Sequence, residues 1–190
     1  MLKRLSDFLY RRSSRPVTLL AILIFALFVA FVLPAQAERA AAVAGPAGSP
    51  DMSYFYSSAD LYRMAEAYGP GGRSAYVRAR FTFDLIFPLT YLFFLGTSLS
   101  WVLLRAVPHA ESRWRWLNLF PLFGALFDYL ENIAASLVML RYPLHTPVAD
   151  VLAPVFTLIK WFFVNGSFVI LLPAALLALW MWSRSRPKNN

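Results

Sequence analysis

Four long apolar stretches constrain this chain more than any other feature of its sequence. They cover about residues 17–33, 81–104, 116–140 and 155–182. A helix needs roughly 20 apolar residues to cross a bilayer core of about 30 Å, and each stretch meets or approaches that length. The sequence therefore predicts an all-α fold, a polytopic membrane four-helix bundle that forms one domain over residues 1–190.

Composition supports a membrane protein and excludes several kinds of chemistry. The chain is 59% hydrophobic, whereas ordinary soluble domains are nearer half. It contains no cysteine, which excludes disulfides, thiolate metal sites and thiol redox reactions. The two histidines, His109 and His145, fall on opposite sides of the predicted membrane and cannot share an ion. We expect neither a metal nor a cofactor.

The net charge of +8 is unevenly distributed along the chain. Arginine and lysine are concentrated in both terminal tails and in the short loop after the second stretch, whereas the other loops are almost neutral. This is the positive-inside pattern, which places both termini in the cytoplasm and the protein in the inner (plasma) membrane. The basic balance then reflects orientation and attraction to anionic headgroups, and a nucleic-acid partner is not expected.

The first apolar stretch has two interpretations. A basic head, an apolar run and the sequence Leu-Pro-Ala-Gln-Ala at residues 33–37 are typical of a signal peptide with a cleavage site. The apolar run has 17 residues, which exceeds the usual range of about 7–15 for a signal peptide. We favour an uncleaved anchor; cleavage would leave three spans and remove none of the charged residues inside the later spans.

Residues 38–80 are predicted to form the one large loop, on the extracytoplasmic side. Its first part, residues 38–50, is rich in Ala, Gly and Pro and is predicted to be a flexible linker. Ser57 and Asp60 have the spacing of a helix capping box, so a short amphipathic helix is expected over about residues 58–68, ended by the glycines and proline that follow. This helix is expected either in the headgroup region or as a lid on the bundle.

Six polar residues inside the apolar stretches are the candidate ligand-binding residues: Asp84, Tyr91, Asp128, Glu131, Asn132 and Lys160. A charge at the bilayer centre costs at least about 2.5–3.5 kcal/mol on insertion scales, so such residues usually face the bundle interior and mark function. Asp84, Glu131 and Lys160 are predicted to meet in the outer half of the bundle. Arg78 and Arg80, which precede the second stretch, are expected among the headgroups.

Two acidic residues share one helical face in the third apolar stretch. Asp128 and Glu131 lie about one turn apart, together with Asn132, and two carboxyl groups in a low dielectric do not both ionise readily. We therefore expect one of them to hold its proton. Lys160 is predicted to pair with Asp84 or Glu131. The alternative is that these side chains only hold neighbouring helices together through hydrogen bonds.

Three short patterns resemble a known group of proteins. They are Gly69-x-x-Gly72-Arg73-x-x-Tyr76, Asp84-x-x-x-Pro88-x-x-Tyr91 and Phe127-Asp128-x-x-Glu131-Asn132. Together they resemble small bacterial four-span integral membrane proteins of unknown function, over about residues 50–180. The resemblance implies a four-helix architecture, and it implies no particular reaction.

The expected function is the binding of a lipid or amphiphile in an outward-facing polar pocket within the membrane. One alternative is a lipid-modifying enzyme that uses Asp128 or Glu131 as a general acid or base; binding is favoured over catalysis. Another is a non-catalytic interaction subunit. Expected partners are membrane lipids and a small amphiphile, or another membrane protein or a second copy of the chain in the interaction reading.

Overall fold

The computed structural model describes residues 1–50, 53–107, 109 and 111–185, and within this part the chain is helical with no strand. The α-helices are α1 (Leu2–Arg12), α2 (Arg15–Leu27), α3 (Leu33–Ala44), α4 (Ser58–Arg80), α5 (Phe83–Ala106), α6 (Phe120–Arg141) and α7 (Ala149–Ser185). A π-helical turn, Phe28–Val32, joins α2 to α3 without interrupting the helical path, and a 3₁₀ segment, Arg113–Leu119, leads into α6.

Four helical stretches are long and apolar enough to span a membrane. They are Arg15–Ala47, Ser58–Ala106, Arg113–Arg141 and Ala149–Arg184. A helix satisfies its own backbone hydrogen bonds, which is the condition for crossing a bilayer core that contains no water. The all-α helical bundle predicted from the sequence is confirmed.

The segment after the predicted first stretch, residues 17–33, is helical where a flexible linker was predicted. Over residues 38–50 the chain remains in α3 as far as Ala44 and then makes a 3₁₀ turn, Gly45–Ala47. The prediction of a linker was wrong because three successive alanines, residues 40–42, are strong helix formers. The helix ends at Gly45, whose φ of 54° is accessible mainly to glycine.

The predicted capping box is present, but α4 is longer than the predicted helix at residues 58–68. The Asp60 N–H donates to Ser57 Oγ at 3.2 Å, and the Ser57 N–H donates to the Asp60 carboxylate at 2.8 Å. The helix is interrupted at Gly69, where φ is 60° and ψ is 177°, and then resumes and continues to Arg80. Pro70 explains the restart, since proline is favoured in the first turn of a new helix.

α4 lies as a lid across the end of the bundle where α6 finishes and α7 begins, here called the α4 end. Leu61 and Ala65 are fully buried in a cluster with Ala135, Val138 and Ala153. This packing favours the lid over a helix that rests in the headgroup layer. The lid covers the ends of α6 and α7 that would otherwise be open.

The opposite end, here called the α1 end, is closed by direct packing of α5 on α7. Leu99 and Leu103 pack with Ala174 and Ala178 in one buried cluster, and these small alanines permit close helix approach. Asn118, which is fully buried in the 3₁₀ segment before α6, accepts a 2.8 Å hydrogen bond from the Ser6 hydroxyl and so holds α1 against the bundle.

Close approach of α6 to α7 makes Gly124 sensitive to substitution. A Cβ added at Gly124 would lie 2.9 Å from Val164 Cγ2, whereas one added at Gly96 would meet nothing closer than Leu92 Cδ1 at 3.9 Å. We predict that Gly124→Ala lowers stability by about 1–3 kcal/mol through overpacking. Gly96→Ala is the matched control and should be neutral or stabilising by about 0.5–1 kcal/mol. Thermal unfolding in detergent measures both, and equal melting temperatures would contradict the close contact.

Candidate functional site

A buried ion pair joins α6 to α7. The Lys160 ammonium nitrogen is 2.5 Å from Glu131 Oε2 and 3.9 Å from Asp128 Oδ1. Glu131 has 0% and Lys160 6% of its surface exposed. Each lies about 15 Å along its helix from the α4 end, at about 1.5 Å per residue. The predicted pairing of Lys160 with an intramembrane acid is confirmed, and Glu131 is the partner.

Asp128 is surrounded by hydrogen-bond donors. The Tyr91 hydroxyl, from α5, donates to Asp128 Oδ2 at 3.0 Å, and the Asn132 side-chain amide donates to Oδ1 at 3.4 Å. Lys160 therefore lies between two carboxyl groups, and its positive charge offsets the repulsion between them. Asp128, Glu131, Lys160, Tyr91 and Asn132 form one contiguous set, here called the polar cluster; its bonds link α5, α6 and α7.

Asp84 belongs to a second ion pair. The Arg80 Nε is 2.9 Å from Asp84 Oδ2, and the Arg80 guanidinium lies over the Tyr76 ring at 4.6 Å from its centroid. Arg80 is only 5% exposed. Arg80 is therefore enclosed by the protein, and Asp84, one of the two partners predicted for Lys160, has an ion pair with Arg80 instead. The Arg-x-x-x-Asp spacing was the available signal, and the structure brings the two residues together across the turn between α4 and α5.

The buried charges are close to balanced. Across the two ion pairs and Asp128, two cations face three carboxyl groups. The set carries one excess negative charge when all five groups are ionised, and none when one carboxyl holds a proton. Such an arrangement can hold a proton or orient the polar part of a ligand, because buried charges are retained only where partners satisfy them.

A cavity of about 320 Å³, here called the lateral cavity, opens beside both ion pairs. Most of its wall is apolar and aromatic, with charged groups restricted to Arg80, Asp84, Asp128 and Lys160. The remaining lining residues come from the first span, α5 and α7: Phe25, Leu33, Gln36, Ala37, Ala40, Phe83, Phe87, Tyr91, Trp161, Val164, Asn165 and Phe168.

Ring stacking positions the first span beside α5. Phe25 stacks on Phe94 at 4.5 Å between centroids, and Phe28 stacks on Phe87 at 5.5 Å. These contacts hold the first span against α5, and α3 packs on α4. α7 packs mainly on α6 and α5. The lateral cavity lies between the first span and α7, and its wall includes residues of both and of α5.

Sequence reasoning missed the part of the site that the first span contributes. Leu33, Ala37 and Ala40 line the lateral cavity, yet an apolar helix carries no pattern that distinguishes a cavity face from a lipid face. Trp161 lies beside Lys160 and donates its indole N–H to the Ser53 carbonyl at 3.3 Å. Within the described residues, no group of three or more metal-ligating side chains is gathered.

The class of this protein follows from its fold alone, because comparisons with known proteins gave no match. Scans against protein-family models, curated proteins and solved structures each found no match to this chain. The four apolar helical stretches define it as a multi-pass helical membrane protein. The resemblance to small bacterial four-span proteins stays a prediction.

The Lys160–Glu131 pair is predicted to show strong coupling. Lys160→Met strands a buried carboxylate and should cost about 3–5 kcal/mol, and adding Glu131→Gln should recover part of that loss. The matched control is Lys160→Met with Asp84→Asn, which should be additive because Asp84 contacts Arg80 instead. Thermal unfolding in detergent measures the cycle. Coupling to Asp84 equal to that with Glu131 would contradict the assigned partners.

Proposed function

We propose that this protein binds a membrane lipid or another amphiphile in the lateral cavity. The proposal depends on one observation: an apolar cavity of about 320 Å³ lies beside a buried charged cluster. Small-molecule sites occupy about 300–1,000 Å³ and combine apolar walls with a few placed polar groups. The volume suits one acyl chain or a small amphiphile, with the polar cluster available to orient it.

Access is proposed to be lateral, from the lipid between α3 and α7. The direct route from the α4 end is obstructed, because the Thr157 hydroxyl donates to the Tyr56 hydroxyl at 3.2 Å and Trp161 bonds to Ser53. On α7, Asn165 lines the cavity and is also exposed, as is Phe168. An exposed amide on a lipid-facing helix supports an opening at this position. The pocket predicted from sequence to face outward is thus proposed to open sideways.

Binding is favoured over catalysis by the engagement of the two acids. Glu131 contacts Lys160, and Asp128 accepts hydrogen bonds from Tyr91 and Asn132. A general acid or base must reach the proton of a bound substrate, and these carboxyl groups already have close partners. The interaction-subunit alternative accounts for the ion pairs but leaves the lateral cavity without a role.

The proposed orientation has both termini in the cytoplasm of a bacterium and the α4 end outside its inner membrane. Because the chain has no cysteine, single cysteines can report it. Ser74→Cys, at an exposed site on α4, should react with an impermeant thiol reagent in intact cells, whereas Ser183→Cys should react only after lysis. Reaction at Ser183 in intact cells would reverse the topology, and the mass of the labelled chain would reveal whether the first span is retained.

Filling the lateral cavity should displace the ligand without unfolding the protein. Ala37, on α3, lines the cavity, whereas Ala42, on the same helix, is exposed and does not. We predict that Ala37→Trp lowers the amount of co-purified lipid at least about tenfold, the effect of about 1.4 kcal/mol of lost binding energy. Ala42→Trp, the matched control, should retain it. Native mass spectrometry of gently extracted protein measures both, and equal lipid content would contradict a site in this cavity.

A further inference from the structure

A second cavity, of about 340 Å³, lies between α3 and α4 and is here called the arginine cavity. Three arginines line it: Arg39 from α3, and Arg78 and Arg80 from the end of α4. Among the described lining residues there is no carboxyl group; Asp51 lies outside the described part of the chain. The cavity therefore presents a concentration of positive charge with hydrogen-bond donors.

The arginine cavity lies at the depth expected of lipid headgroups. The helical path from Arg15 to Arg39 is about 36 Å long at about 1.5 Å per residue, which exceeds the thickness of a bilayer core of about 30 Å. Gln36, Ala40 and Arg80 line both cavities, so the arginine cavity adjoins the lateral cavity. A polar compartment at the headgroup level thus continues into an apolar compartment at the level of the acyl chains.

The donors of the arginine cavity suit a phosphate group. The hydroxyls of Ser74 and Thr82 donate to the backbone carbonyls of Pro70 and Arg78, at 3.0 and 2.7 Å, so the charge and the planar donor pairs come from the guanidinium groups. Arg39 and Arg78 are exposed and can turn towards a ligand. Guanidinium groups bind phosphate oxygens through two parallel N–H bonds, which an ammonium group cannot reproduce.

The position of Arg80 is fixed by its own contacts. Asp84 holds its Nε, and the Tyr76 ring lies under its guanidinium plane. Arg80 lines both cavities, whereas Arg39 and Arg78 line only the arginine cavity and supply charge that no described carboxylate in its wall offsets. Selectivity for an anionic group should therefore depend on Arg39 and Arg78.

We propose that the arginine cavity binds the phosphate of a phospholipid headgroup while an acyl chain of the same lipid occupies the lateral cavity. This inference rests on the proposed function and adds the chemical class of the ligand. Charge complementarity selects the phosphate, and the adjoining apolar cavity selects a lipid as its source over free phosphate.

The test compares two lipids that differ only in the headgroup. Purified full-length chain in detergent is titrated with phosphatidate and with diacylglycerol of identical acyl chains, and binding is measured by native mass spectrometry. Phosphatidate should bind about tenfold more tightly, the factor expected of a charge-assisted hydrogen bond. The preference should disappear in Arg39→Gln/Arg78→Gln. It should persist in Arg63→Gln/Arg141→Gln, a control that removes two exposed arginines elsewhere on the α4 side.

Several results would overturn the proposal, and one would overturn the proposed function as well. If both lipids bind equally and Ala37→Trp abolishes the binding of both, phosphate recognition is rejected. The lateral cavity then remains a lipid site. An equal loss in both arginine double variants would reduce the effect to general surface charge. Competition by inorganic phosphate as strong as that by phosphatidate would reject the lipid as the source. Absence of binding by either lipid would reject the proposed function itself. The preference of the wild-type chain decides the proposal even where a variant fails to fold.

Discussion

The rest of the bundle depends on the buried pair between Lys160 and Glu131. In a bilayer the lipid chains are as apolar as the helices, so the hydrophobic effect gives little preference for one helix arrangement over another. A lysine and a glutamate 2.5 Å apart do give such a preference, because any rotation of α7 against α6 would strand both charges. Asp128 and Tyr91 extend the constraint to α5. With these three helices fixed, the first span packs on α5 through its phenylalanines. The lateral cavity lies between the first span and α7.

The sequence predicted most of this fold for physical reasons. A bilayer imposes a minimum length on apolar helices, so the four spans were visible as lengths alone. Helical spacing placed Asp128, Glu131 and Asn132 on one face, and all three are buried. Boundaries were less predictable. Gly69 and Pro70 fit the end of a helix as well as a kink between two helices, and the structure shows the kink, with the helix continuing to Arg80.

The candidate site was predictable where charge identified it and invisible elsewhere. Lys160 had two possible partners in the sequence because Asp84 and Glu131 lie on different helices whose rotation no local pattern determines. Arg80 resolves this choice, since it is four residues from Asp84 and removes that acid from competition. Ala37 and Ala40 could not be assigned to a cavity from sequence, because their role follows from where the first span packs and not from their own chemistry.

The two cavities adjoin along the bundle and differ in polarity. At the depth of the polar cluster, Lys160 offsets the charge of two acids, so the wall of the lateral cavity combines apolar surface with nearly balanced charge. Towards the α4 end, Asp84 offsets the charge of Arg80, while Arg39 and Arg78 leave positive charge in the arginine cavity. An amphiphile with an anionic head and an apolar tail has the same order of polarity. A free anion would make no contact with the apolar cavity, and an uncharged lipid would not pair with the arginines. A ligand with both parts therefore matches the two cavities best.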